Sequence, residues 1–163
     1  MIPPVITRSK MKTKIGLFLF AALAMAALPT GANYLSSDHI QDVSKTLPAK
    51  MSKVKVANAA LGSWGNHSMS VVHREGNGEA EFHETQSDII VIRGGEASII
   101  IGGTIPDGKK TAANEIRGTK IEGGEKEPLH AGDVLHIPIK TPHQMLLEPG
   151  QKLDYLAIKV DAK

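Results

Sequence analysis

Gly132-Asp133-Val134-Leu135-His136-Ile137-Pro138-Ile139-Lys140-Thr141-Pro142-His143 is the stretch whose reading decides the fold. A short apolar run, Val134–Ile137, leads through a proline-bounded turn to His143, where a second short strand begins, with Met145 and Leu147 on one face and Gln144 and Leu146 on the other. Upstream, Glu81-Phe82-His83-Glu84-Thr85-Gln86-Ser87-Asp88 repeats the theme of a histidine beside a β-branched run, Ile89–Ile92, and a glycine pair, Gly94-Gly95. Glu79, Glu81 and His83 share one strand face, as do Met69, Val71 and His73 in the strand before, which leaves Ser70, Val72 and Arg74 on its reverse. Asp88–Arg93 and Glu96–Ile101 read as two strands with a turn between them, and Leu153–Val160 as the last strand. Short strands and glycine turns at this density indicate an all-β sandwich or barrel.

The two stretches resemble the paired motifs of the cupin superfamily. Gly132, five residues, Pro138-x-Lys140, two residues, His143 follows the second motif, with Lys140 where the family has Gly and Leu147 where it has Asn. Glu81-x-His83, four residues, Asp88, six residues, Gly95 follows the later part of the first, with Glu81 in the place of a histidine and Asp88 in that of a glutamate. The resemblance spans roughly Met69–Val160. It implies a cupin-type double-stranded β-helix, a jelly-roll barrel, occupying residues 69–163, with Glu81, His83, Asp88 and His143 as the candidate metal ligands.

The residues support that ligand set from below. Two positions apart on a strand, Glu81 and His83 project to one face, and Ile90 and Ile92 carry the face of Asp88 into a barrel interior. Two neutral imidazoles with one or two carboxylates suit Fe(II) or Mn(II), with zinc as the alternative. Asp88 is one methylene shorter than the family's Glu, so either it or Glu81 supplies the carboxylate, or both do. A strand histidine is more often a hydrogen-bonded structural residue than a ligand, and Asp88 can equally serve a turn. His136 is read as structural, and His73 as structural or as a partner behind the ligands. The site type is compatible with lyase, isomerase or dioxygenase chemistry, and no catalytic residue is identified. The expected ligand is a small polar molecule such as a sugar acid or hydroxy-carboxylate; a non-catalytic binding module and a metal-free structural cupin are the alternatives.

Outside the barrel, residues 1–32 read as a secretory signal: Lys10, Lys12 and Lys14 precede the apolar Ile15–Leu28, and Thr30-Gly31-Ala32 supplies small residues for cleavage. Residues 1–10 read as an over-extended start before Met11. Residues 33–68 are read as a lead-in segment whose helix starts at Ser36-Ser37-Asp38, carries Ile40, Val43 and Leu47 on one stripe, ends at Pro48 and packs outside the sheet. Removing the leader takes four of the 19 basic residues and none of the 17 acidic ones, which leaves a net charge of −2 and argues against a nucleic-acid surface. With no cysteine, disulfides, thiolate catalysis and cysteine-based zinc sites are excluded. Ser63 and Ser68 lack the turn that activates a nucleophilic serine. The expected product is secreted or periplasmic, without stable membrane insertion after cleavage, and by analogy a homodimer. N-terminal analysis of exported material should give a start near Asn33; retention of Ile15–Leu28 would contradict cleavage.

Overall fold

The structure, a computed structural model, describes residues 31–162. Residues 1–30 of the expected leader lie outside the described residues. Among those described, no helix is long and apolar enough to cross a membrane. Ser36 caps helix α1 (Ser37–Lys45), its hydroxyl accepting a 3.1 Å hydrogen bond from the His39 amide, which satisfies one of the free amides of the first turn. Ile40 and the fully buried Leu47 then pack on Ala57 and Val71, the outer face of the sheet, as their spacing predicts.

Ten strands follow: β1 (Val56–Trp64), β2 (His67–Arg74), β3 (Ala80–His83), β4 (Gln86–Ile101), β5 (Lys109–Ala112), β6 (Glu115–Gly118), β7 (Glu125–His130), β8 (Val134–Ile137), β9 (His143–Leu146) and β10 (Leu153–Asp161). They hydrogen-bond in the order β1-β2-β10-β4-β9-β3-β6-β5, with β7 and β8 also on β4. All pairs are antiparallel. Among the described residues, the expected all-β jelly roll with one short N-terminal helix is the architecture observed.

Strand β4 sets the topology. Its first half pairs with β10 and β8, its second half with β9 and β7, so one 16-residue strand belongs to both sheets. The Gly94-Gly95 pair is therefore a bend inside one strand and not the turn between two strands that the glycines suggest. A register shift opposite Asp154 and Tyr155 marks the bend, and Gly95 has φ +84°. A Cβ on Gly95 would stand 1.9 Å from the Lys152 carbonyl oxygen, a position open to glycine alone. Around the bend, Ile92, Ile99, Ile137, Met145, Leu153 and Tyr155 form the interior core.

One boundary needs correction, and two strands carry no sequence signal. The sheet starts at Val56, ahead of the residue 69 boundary, because β1 pairs along the whole of β2. Lys109–Ala112 forms β5, an edge strand whose four residues are all exposed and which therefore has no apolar alternation to betray it. Glu125–His130 forms β7, with only Leu129 buried, for the same reason.

Gly132 offers a control for the bend, since it too has positive φ (+100°) but nothing lies within 4 Å of its added Cβ. Gly95→Ala should cost at least about 2 kcal/mol more than Gly132→Ala in urea unfolding, the first combining strain and collision and the second strain alone. Equal costs would mean that the bend does not depend on the close approach.

Candidate metal centre

The candidate residues arrive by register. Glu81 on β3 lies opposite Arg117 of β6 on one side and His143 of β9 on the other, and Asp88 on β4 lies opposite Lys159 of β10. Alternation does the rest: His83 follows Glu81 by two residues, and both enter the space between the sheets. His83, Asp88 and His143 are each about 5% exposed.

Glu81, His83 and His143 form a group that can hold a metal ion, with ligand atoms all within 4.8 Å of one another. Their imidazole rings tilt at 49° with centroids 5.5 Å apart. The Asp88 carboxylate stands beside them, 3.4 Å from the Nε2 of each histidine, and His143 Nδ1 is 3.1 Å from the Thr141 carbonyl oxygen, which as an acceptor keeps a proton on Nδ1 and leaves Nε2 as the nitrogen that faces the cluster. That donor set of two imidazole nitrogens and hard carboxylate oxygens suits a divalent cation.

A cation is in fact present in the cluster. The Lys159 ammonium donates to both Asp88 oxygens, at 2.9 and 3.2 Å, and lies 3.1 Å from His83 Nε2. Arg117 supplies a second positive charge, bonded to Glu81 at 3.1 Å, to Glu79 at 3.3 Å and also to Glu115. Neither residue was singled out from the sequence. Lys159 ends a Leu153-x-Tyr155-x-Ala157-x-Lys159 alternation, and a charge closing an otherwise inward-facing stripe is the signal that could have found it.

The charges shape the proton affinities. Burial alone would raise the Glu81 carboxyl, but the His83 hydrogen bond and the charges of Arg117, His143 and Lys159 outweigh it and hold the group at about 2. Asp88 is likewise opposed by burial yet kept well below the usual carboxylate range by His143, His83 and Lys159. Hydrogen bonding to Asp88 and then to Glu81 lifts His83 to about 9, against burial and Lys159. The carboxylates and the ammonium make opposite demands on the same nitrogen, since Lys159 has nothing to accept with and needs an unprotonated Nε2. Two nearby anions against one cation decide in favour of the imidazolium in the metal-free protein.

The other histidines stay away from the cluster. His136 is exposed on β8. His73 faces the outside of β2, with Nδ1 2.8 Å from Asp154 and Nε2 3.2 Å from Glu75, so it holds an outer ion cluster and does not support the ligands.

No protein-family model matches the chain, and no curated protein matches it. Solved structures do match in fold. A cysteine peptidase from Thevetia peruviana latex, Peruvianin-I, aligns at TM-score 0.50 and 12% identity, over 72% of this chain and 68% of the other. A cupin 2 conserved barrel domain protein from Salinispora arenicola aligns at 0.47 and 18%, over 66% and 76%. The polyketide cyclase RemF from Streptomyces resistomycificus aligns at 0.47 and 18%, and the chain spans 65% of that protein's length. At these identities the likeness concerns fold alone. The chain has an all-β antiparallel fold with a His/Glu group that can hold a metal.

Removing Lys159 leaves the buried Asp88 charge without its ammonium. Lys159→Met should therefore lower the stability of the metal-free protein by about 2 kcal/mol, while Lys159→Met with Asp88→Leu should recover most of it. Denaturant titration of both variants checks this; additive losses would show that the pair is not coupled.

Proposed function

We propose that this chain is an exported, metal-dependent cupin that handles a small polar molecule of the sugar-acid or hydroxy-carboxylate class. The convergence of Glu81, His83 and His143 within 4.8 Å carries the reading. These three residues, with Asp88 beside them, would hold the ion, and manganese or iron suits their mixture of nitrogen and oxygen donors better than zinc does. Bound there, a divalent ion supplies Lewis-acid polarisation of a ligand oxygen. The chain's own part is to shield the site and to orient what enters. Arg117 and Lys159 line both the interior cavity of about 210 Å³ and a mouth of about 440 Å³ beside His83 and Asn114, where their cationic heads favour acidic molecules. The basic leader supports export.

One observation favours a second reading, a metal-free binding module: Lys159 already offers Asp88 and His83 a cation. Titration with Mn(II), followed by elemental analysis, separates the two. On the metal reading the wild type takes up one equivalent, Glu81→Gln binds at least about tenfold more weakly through loss of a charged ligand, and Lys159→Met binds more tightly as a competing cation goes. No uptake by the wild type or by Lys159→Met would establish the metal-free reading.

A further inference from the structure

Arg74 closes the interior face of β2, following Ser70 and Val72, which line the same cavity. Only 7% of it is exposed, yet it forms no ion pair among the described residues, whereas Arg117 and Lys159 both do. Its Nε is fully buried and finds no hydrogen-bond partner. An unpaired buried guanidinium is costly, and a buried donor without an acceptor is rare enough to require a cause. The head is also held in place: a Cβ on Gly78 would stand 3.1 Å from Nη1, so the absence of that carbon is what lets the arginine lie along the β2–β3 connection.

Among the described residues, Arg74 is the cavity's basic side chain with no carboxylate paired to it. Lys159 balances Asp88, and Arg117 balances Glu81 while sharing Glu79 and Glu115. A small anion would supply the partner that Arg74 lacks, and the planar guanidinium fork matches the two oxygens of a carboxylate. The cavity of about 210 Å³ limits that anion to a small one. Tyr155 lines the same space and adds a hydroxyl donor. Asn58, exposed and lining it too, marks a route to solvent.

We infer that Arg74 is the carboxylate anchor of a small organic acid whose remaining polar groups extend through the cavity toward Glu81, His83 and His143. This rests on the proposed role of the site as a binder of small polar molecules and names the ligand's charged end. It makes Arg74 a binding residue separate from the metal ligands.

The test uses the full mature protein, freed of metal, with glycolate and lactate as probes and their neutral amides, glycolamide and lactamide, as controls. Chemical-shift titration should show that both acids bind, that each amide binds at least about tenfold more weakly, and that Arg74→Gln loses the preference for the acid. Arg74→Lys, which keeps the charge without the fork, should retain a reduced preference and stands in if Arg74→Gln does not fold. Mn(II) uptake measured on the same samples reports separately on the metal reading, so its failure is distinguishable from failure of the anchor. Equal binding of acid and amide, an unchanged preference for the acid in Arg74→Gln, or no binding of either acid to the wild type would overturn the assignment.

Discussion

The bend that lets β4 serve two sheets is the constraint on which the rest depends. A 16-residue strand would ordinarily stay in one sheet, leaving Asp88 and the pairing partners of β9 on separate surfaces. Because the chain turns at Gly94-Gly95, where the Lys152 carbonyl leaves no room for a side chain, the first half carries Asp88 against Lys159 and the second half carries β9, and with it His143, to the opposite wall. The two walls then close on one interior. Metal-binding capacity at this site is thus a consequence of topology as much as of residue type.

Much of this was legible in advance. The spacing from Gly132 to His143 and the two-residue step from Glu81 to His83 identify residues that do meet, because a strand's alternation turns sequence spacing directly into a shared face. Lys159, Arg117 and Arg74 escaped notice for a different reason. Each reaches the interior opposite a particular residue of another strand, and cross-strand register is fixed by turns and bulges that composition does not encode. The bulge between Ala60 and Gly62 and the shift beside Asp154 are of that kind. Strands β5 and β7 were hidden because they bury almost nothing, and periodicity is visible only where one face is apolar.

The interior cluster combines three cationic side chains, two carboxylates and two imidazoles around a space that Val72, Met145 and Tyr155 also line. Such a concentration of charge is expensive to bury and contributes little to stability for its cost. Its members are mutually arranged, however: the anions hold His83 protonated, the cations hold Glu81 and Asp88 ionised, and the cluster opens toward a mouth lined by Arg117 and Lys159. A packed apolar interior would have been simpler to fold, and shifted titratable groups gathered in one cavity are a mark of functional sites.

The central claim is that the paired histidines act together on one ion. Pulsed electron paramagnetic resonance of the Mn(II)-loaded protein tests it most directly, since nitrogen modulation reports imidazoles bound to the metal. The account predicts coupling to two nitrogens, with one lost in His83→Gln and the other in His143→Gln. A spectrum without nitrogen coupling, or with coupling that survives both substitutions together, would contradict it.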